Sequence, residues 1–346
     1  MKILRILFFV SLGYLLSTFL WIAQANAMPK TLGKFPVCEP SAVVRIPCPN
    51  SNGDCLLVGD NEIKESLFVY PIKSGNLEAN VQTELSLEAA EISDIEAITR
   101  LGENQVLIFG SYSRNTKCEV KKKRQRFLQA QVLNQSIKST SNAIQTDKIN
   151  SETLFVPEVL KKNKMLQAVA GMIDETEKSA NLAQADQQAC QKANAFNVEG
   201  AVAVPWGSQA ETWLGLRSPQ ASVEGKTWAI LLKLKNLNQF QFEQVVLLDL
   251  EGRGIRELTK NGNLIWGIAG GPEDDKNNFV LWKLPIEKLK PNAKVHPEIV
   301  HDLPTSSEGL AISGNKAYIL IDGDRGNSES SCQTPGKFIE ISVALQ

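Results

Sequence analysis

Four charged residues occupy the same place in a repeated segment of the sequence. Each stands near the start of an apolar stretch that leads through a turn into a second apolar stretch; the four are Glu96, Glu199, Arg256 and Glu308. Recurrence at one place of a repeat predicts that these side chains converge in the fold. Convergent carboxylates and guanidinium groups can bind a metal ion, a phosphate or a polar sugar. The alternative is that they pair with one another and stabilise the repeat.

Three residues at the ends of the second stretches extend this candidate site. Arg217 and Asp322 are expected to join the four charged residues as ligand-binding groups. Asp322 and Asp324 are also candidate ligands for Ca²⁺, because carboxylate oxygens are the ligands that this ion prefers. The spacing is not that of an EF-hand, since Gly326 stands where the fifth position of the loop would be. Ca²⁺ is the one cofactor that the sequence suggests, and it establishes none.

Serine-based catalysis lacks a suitable base in this sequence. His296 and His301 are the only histidines, and both are expected in an outer strand. The segment Gly110-Ser-Tyr-Ser-Arg is not a Gly-x-Ser-x-Gly nucleophile elbow. A mechanism based on carboxylates and a metal ion needs no histidine. An enzymatic function, if there is one, is therefore expected to be metal-assisted hydrolysis of phosphoesters or esters.

The elements that carry these residues are predicted to be short antiparallel strands. Ser66 to Ile72 alternates between apolar and polar residues, and similar stretches flank it. Four such strands in about fifty residues match one blade of a β-propeller. First strands are predicted to start near residues 43, 95, 198, 255 and 307. The sequence thus predicts an all-β fold, a propeller of five blades or of six.

The long interval between the second and third repeats decides between these blade counts. From about 157 to 195 the apolar residues follow a helical spacing, and Pro157 suits a first helical turn. We predict a helical hairpin inserted in the second blade, whereas a sixth blade would need strands there. The last repeat ends before its fourth strand. Leu32 to Val37 is expected to supply that strand and close the ring.

Residues 1–27 have the features of a secretory signal. Lys2 and Arg5 precede an apolar core, and Ala25-Asn26-Ala27 fits the rule for cleavage after Ala27. An uncleaved N-terminal anchor is the alternative, because the apolar core is long. Either way, residues 28–346 are expected to form a single exported domain, periplasmic or extracellular, without a further membrane span.

Six cysteines in an exported chain predict disulfides, with fifteen connectivities for three bridges. Cys118 and Cys190 flank the expected helical insertion, and a bridge between them would close a long loop. Cys332 is expected to pair with one of three cysteines near the N-terminus, namely Cys38, Cys48 and Cys55. Such a bridge would link the two ends of the chain.

The formal net charge of −1 gives no field that would attract nucleic acid or an anionic membrane. We expect a monomer whose partner is a small polar ligand or an envelope protein. Two function classes follow from the residues. The first is a non-enzymatic propeller that binds its ligand or partner at the channel mouth, and the second is a metal-assisted phosphoesterase or esterase-like hydrolase.

Several of these segments also resemble a known family. The chain is similar to secreted bacterial proteins, mostly cyanobacterial, described as domain of unknown function 3616, in the segments Ser93–Thr99, Trp213–Pro219, Gly254–Arg256, Ser307–Ala311 and Ile321–Asp324. That resemblance covers most of the mature chain and implies a β-propeller. A more distant similarity to propellers described as esterase-like activity of phytase implies an esterase or phosphoesterase, but none of that family's catalytic residues can be placed here.

Overall fold

The computed structural model describes residues 28–88, 92–205, 210–272, 278–323 and 332–344. The predicted signal sequence, residues 1–27, lies outside these ranges. The described chain is an all-β fold whose α-helices all lie in one segment. No described helix combines the length and the apolar composition that a membrane span requires.

The strands follow one another in units of similar length. After β1 (Lys30–Thr31), the first unit contains β2 (Ala42–Pro47), β3 (Asp54–Gly59), β4 (Ser66–Lys73), β5 (Asn76–Leu77) and β6 (Thr83–Glu88). The second contains β7 (Ile95–Arg100), β8 (Gln105–Gly110), β9 (Arg126–Val132), β10 (Ser136–Ser139) and β11 (Ile144–Gln145). The helices then follow: α1 (Ser151–Leu154), α2 (Pro157–Leu160), α3 (Lys164–Leu182) and α4 (Gln187–Lys192).

The remaining units follow the helices. The third contains β12 (Asn197–Val204), β13 (Glu211–Ser218), β14 (Ala221–Val223), β15 (Lys226–Asn236) and β16 (Gln239–Leu248). The fourth contains β17 (Gly254–Asn261), β18 (Leu264–Gly270), β19 (Phe279–Pro285), a 3₁₀ helix (Ile286–Lys288), β20 (Lys294–Val295) and β21 (Glu298–Leu303). The last contains β22 (Ser307–Ser313), β23 (Lys316–Ile321) and β24 (Lys337–Ser342).

Main strands within a unit pair antiparallel with their neighbours in sequence. Outer strands β6 and β10 pair in parallel, so the first two units share one continuous sheet. The first strands of the units pack side by side in the order β2, β7, β12, β17, β22 and back to β2. The sheets therefore curl around a common axis, with the first strand of every unit innermost.

The last sheet is completed by the beginning of the described chain. Strand β1 pairs with β24, with Lys30 opposite Phe338 and Thr31 opposite Lys337. The expected closure by the N-terminal segment is thus present, but the predicted strand from Leu32 to Val37 is wrong in its position. The strand ends earlier because Gly33 adopts a φ of 65°, which turns the chain out of the sheet.

Apolar clusters fill the spaces between neighbouring sheets. One lies between the first and second units and includes Ile95 and Leu57, and another between the third and fourth includes Trp213 and Trp282. Helix α3 turns Leu166, Val169 and Ile173 into the cluster between the second and third units. Both faces of most sheets are therefore buried, which leaves the inner ends of the units to form a polar site.

The described chain contains three disulfides, of which one joins its two ends and one holds the helical segment. Cys118 is bonded to Cys190, with 6.1 Å between their Cα atoms, as the sequence predicts. Cys332 is bonded to Cys38, one of its three expected partners, and Cys48 is bonded to Cys55. The first bridge ties α4 to the loop between β8 and β9. The second joins the two ends of the described chain.

Candidate functional site

Each of the four recurring charged residues is the extra residue of a β-bulge. Ile95 faces Gly110 and Ala97 faces Phe109, so the register of β7 and β8 skips Glu96. The register skips the other three in the same way, namely Glu199, Arg256 and Glu308. A bulge bends its strand and re-aims a side chain. The four side chains line one cavity at the inner end of the units.

Glycine follows two of these bulge residues because the first strands pack closely. A Cβ atom on Gly200, the residue after Glu199, would lie 2.8 Å from Cγ of Leu258 in β17. A Cβ atom on Gly309, the residue after Glu308, would lie 3.0 Å from a methyl carbon of Val43 in β2. The Glu-Gly pairs therefore combine an inward charge with close contact between neighbouring units.

The cavity has a volume of ≈ 900 Å³ and is lined mainly by polar side chains. All six residues predicted to bind a ligand line it: Glu96, Glu199, Arg217, Arg256, Glu308 and Asp322. Residues that the sequence analysis did not select also line it, among them Glu39, Glu62, Asp94, Arg114, Arg124, Lys192 and Asn197. The cavity thus carries charges of both signs.

Glu199 and Arg256 form the centre of an ion-pair network on one side of the cavity. Glu199 Oε1 accepts a hydrogen bond from Arg217 Nη1 at 3.0 Å, and Glu199 Oε2 lies 3.2 Å from Arg256 Nη1. Arg256 Nη1 also lies 3.0 Å from Glu308 Oε1. The side chains of Glu199 and Arg256 are almost entirely buried, so water screens these charges weakly.

Asp94 forms a second charged group beside the first. Its carboxylate lies 2.8 Å from Arg124 Nη1, and Ser113 Oγ donates a longer hydrogen bond of 3.4 Å. Burial raises the pKa of Asp94, and the neighbouring Arg124 opposes that rise. The sequence signal for Asp94 was its place in the Ser-Asp-Ile-Glu motif, where Glu96 alone was selected.

Glu96 and Asp322 are partly buried acidic residues whose side chains have no hydrogen-bond partner in the described ranges. Burial raises the pKa of Glu96 well above its usual range, and Asp94 and Glu199 raise it further. Burial likewise raises the pKa of Asp322, with a further rise from Glu308 and a smaller lowering by Arg256. Both carboxyl groups therefore retain a proton to higher pH than a carboxyl group in water.

Glu257 is a buried acidic residue near Glu199 and Glu308 that does not line the cavity. Its side chain is fully buried and accepts hydrogen bonds from the backbone N–H groups of Val43 and Leu258, at 3.2 and 2.8 Å. Because β17 and β2 are not neighbours in the ring, the Val43 contact crosses the axis. Burial raises the pKa of Glu257 well above its usual range. The missed sequence signal is that other repeats have alanine or glycine here.

Helix α4 and the residues after it form one wall of the cavity. Gln191, Lys192 and Asn194 line it beside the Cys118–Cys190 bridge. Arg114 holds this wall through a 2.9 Å ion pair with Glu177 of α3. Glu177 in turn accepts the N–H of Phe196, just before β12. The helical segment is therefore fixed against the site by buried polar contacts.

The predicted metal pair is only partly described. Asp322 lines the cavity, and Asp324 lies outside the described residues. Within the described ranges, no three His, Cys, Asp or Glu residues are grouped closely enough to hold a metal ion. His301 lies in β21, as the sequence predicts for an outer strand. The same prediction is wrong for His296, which lies between β20 and β21 and contacts Asp249. Neither histidine is among the described residues that line the cavity.

One family model matches the chain, and it describes a protein of unknown function, DUF3616. The match covers residues 75–309, which is more than half of the sequence. No curated protein matches the chain significantly.

The chain is also similar to several solved structures, all at low sequence identity. An aldose sugar dehydrogenase from Streptomyces coelicolor is 12% identical with a TM-score of 0.43, covering 92% of this chain and 97% of that one. A GH43_1 enzyme from Xanthomonas citri is 6% identical with a TM-score of 0.46, covering 92% of each chain. A periplasmic gluconolactonase from Pseudomonas aeruginosa is 10% identical with a TM-score of 0.37, covering 88% and 85%. At these values the activities of those proteins say nothing of this chain's chemistry.

Proposed function

Because the chain belongs to the DUF3616 family, whose function is unknown, we propose a function from its own site. The protein is an exported five-bladed β-propeller that binds a small polar ligand at the channel mouth. One observation carries this proposal: the six residues selected from the sequence, four of them at equivalent bulges, line a single cavity of ≈ 900 Å³. Cavities of roughly 300–1,000 Å³ are typical of small-molecule sites.

The five-blade count is supported by the cyclic packing of β2, β7, β12, β17 and β22. A sixth blade would need strands between β11 and β12, where the helices α1 to α4 lie. We therefore interpret residues 157–195 as an insertion in the second blade. Export is supported by three disulfides, which persist in oxidising compartments.

The ion pairs of Arg217 and Arg256 support a binding function because these side chains are already held in position. Arg217 and Arg256 also donate to backbone carbonyls of Pro272 and Gly271, so their positions are set before a ligand arrives. Pre-set polar groups lower the entropic cost of binding. The proposed site residues are thus held in place by contacts that do not require the ligand.

A ligand screen tests the proposal. Thermal unfolding of the mature chain would be followed with sugars, amines, phosphoesters and Ca²⁺ in turn. We expect at least one class to raise the melting temperature, and the rise to vanish in the double variant Glu96→Gln/Glu308→Gln. Glu158→Gln is the control, because Glu158 is exposed on α2 and remote from the cavity lining. No stabilisation by any class, or equal stabilisation of the double variant, would reject the proposed site.

A metal-assisted phosphoesterase is the second candidate function. The observation in its favour is that Arg256 stands between Glu199 and Glu308, where a guanidinium group could hold phosphate beside a cation. The cation would need Asp322 together with Asp324. Hydrolysis of p-nitrophenyl phosphate that requires Ca²⁺ and is lost in Asp322→Asn would support this function. If no hydrolysis occurs with or without Ca²⁺, the phosphoesterase function is rejected and ligand binding is the one candidate function that remains.

A further inference from the structure

Several buried oxygen atoms of the cavity lack a hydrogen-bond donor. Asn61 Oδ1, Asn197 Oδ1 and Asp322 Oδ1 are buried without a partner among the described residues, and all three residues line the cavity. The amide of Asn197 is oriented by its nitrogen, which donates to Glu199 Oε1 at 3.0 Å. Its oxygen is therefore an acceptor by necessity. Buried polar atoms in folded proteins are rarely left without a partner.

Glu96 adds a further acceptor on the same cavity. It is held inward by its bulge and accepts no hydrogen bond from any described residue. Among the buried atoms of the described lining residues that have no partner, two are donors, Arg114 Nε and Arg256 Nε, and both guanidinium groups donate through their other nitrogen atoms. The oxygen atoms that lack a donor outnumber these two, so the cavity mainly requires hydrogen-bond donors, which a ligand can bring.

The charges of the cavity indicate what kind of donor fits. Arg217 and Arg256 are engaged by Glu199 and Glu308, and Arg124 is engaged by Asp94. Lys192 is exposed at the rim. The buried positive charges are thus matched by carboxylates already, whereas Glu96 and Asp322 have no cationic partner within hydrogen-bonding distance in the described ranges. A donor that carries positive charge would satisfy both requirements at once.

We propose that the ligand carries a primary ammonium group, which Glu96 and Asp322 bind as carboxylates with Asn197 Oδ1 as a neutral acceptor; this presupposes the binding function proposed above. An ammonium group has three donors and no acceptor. Its hydrogen bonds to carboxylates are charge-assisted and stronger than those of a hydroxyl group. A quaternary ammonium ion fits less well because it needs aromatic faces, and Phe196 is the one aromatic residue among the described lining residues.

Proton release distinguishes an ammonium ligand from a neutral polyol. Burial raises the pKa of Glu96, and Asp94, Glu199, Glu308 and Asp322 raise it further. The arginines paired with three of these carboxyl groups are Arg124, Arg217 and Arg256. An ammonium group favours the ionised carboxyl groups, so its binding lowers their pKa and releases protons. Affinity should then fall as the pH is lowered through the raised pKa values. A polyol can accept from protonated carboxyl groups and would release few protons.

Calorimetric titration of the mature chain with matched pairs of probes tests the proposal. The pairs are 1,4-diaminobutane with 1,4-butanediol, and D-glucosamine with D-glucose. We expect each amine to bind at least roughly tenfold more tightly than its hydroxyl counterpart, as charge-assisted hydrogen bonds predict. Buffers of different ionisation enthalpy should report protons released by the amines. Glu96→Gln/Asp322→Asn should lose this preference, and Glu158→Gln should keep it.

The outcomes separate this inference from the function on which it rests. If glucose or butanediol binds as tightly as its amine, or if inorganic phosphate or Ca²⁺ binds instead, the ammonium assignment is wrong and the binding cavity stands. If no probe of any class binds at millimolar concentration, both fail. Should the double variant not fold, proton release by the wild type still decides, because amine binding without proton release contradicts the role given to the two carboxyl groups.

Discussion

Glu257 shows how strongly one side chain can depend on its place in this fold. Its carboxyl group lies fully buried on the axis and accepts two backbone N–H groups. Those N–H groups favour the ionised form, but burial outweighs them and raises the pKa. The nearby Glu199 and Glu308 add to the rise. The folded protein therefore holds a proton at Glu257 that the unfolded chain gives up at lower pH.

The pH dependence of stability should reveal this proton. A carboxyl group with a raised pKa in the folded state stabilises below its unfolded pKa of about 4.3, and this contribution is lost as pH rises through the folded pKa. Glu257→Gln has no such proton, so its free energy of unfolding should improve relative to wild type as pH increases from about 4.3. Urea unfolding across that range measures the difference. A difference that stays constant with pH would contradict a protonated Glu257.

Residue types alone predicted part of the cavity lining. Recurrence selected Glu96, Glu199, Arg256 and Glu308, and the structure brings them to one cavity. Glu257 was missed because a single buried carboxyl group depends on a contact with Val43, which lies over two hundred residues away in the chain. Asn197 was missed because no sequence pattern shows that an amide oxygen lacks a donor.

At the scale of the secondary-structure elements, the first strands of neighbouring units pack closely against one another. Gly200 in β12 lies against Leu258 and Glu257 of β17, with space for no further atom. Gly171 in α3 is the opposite case, since nothing lies within 4 Å of a Cβ atom built there. The same substitution at these two glycines therefore tests the packing of the first strands separately from that of the helical segment.

Gly200→Ala and Gly171→Ala should change stability in opposite directions. Gly200→Ala should lower the free energy of unfolding by roughly 1–3 kcal/mol, because the added methyl group forces neighbouring first strands apart. Gly171→Ala should raise it by about 0.5–1 kcal/mol, because alanine is the better residue in a helix interior. Chemical unfolding of both variants gives the comparison. If Gly200→Ala leaves the free energy of unfolding unchanged, β12 and β17 have space for a methyl group between them, which contradicts their close packing.

Local sequence patterns predicted the positions of strands and helices better than they predicted how residues of neighbouring strands pair. Alternating apolar residues located β4, and Pro157 marked the first turn of α2. The bulges at Glu96 and Glu308 were not predicted, because a one-residue skip depends on which residues of the facing strand pair. The closing strand is Lys30–Thr31 and not Leu32 to Val37, because the chain turns at Gly33. The sequence analysis did not recognise that turn.

At the scale of the molecule, the chain must join its two ends to complete the last sheet. Only two residue pairs connect β1 to β24, which is a small contact for that purpose. The Cys38–Cys332 bridge supplements it across a sequence separation of 294 residues. The Cys48–Cys55 bridge spans a separation of 7 and closes only a local turn. The two bridges therefore differ in how much they restrict the unfolded chain.

Removing the long bridge should cost more stability than removing the short one. In the chain-entropy model, the Cys38–Cys332 bridge contributes about 5–6 kcal/mol to the free energy of unfolding, and the Cys48–Cys55 bridge contributes about 2.5 kcal/mol. Cys38→Ser/Cys332→Ser should accordingly unfold at lower urea concentration than Cys48→Ser/Cys55→Ser. The first pair should also increase hydrogen exchange at Phe338 and its neighbours, since β1 would then hold the edge of the last sheet alone. Equal losses for the two pairs, or unchanged exchange along β24, would show that β1 closes the ring without help from the disulfide.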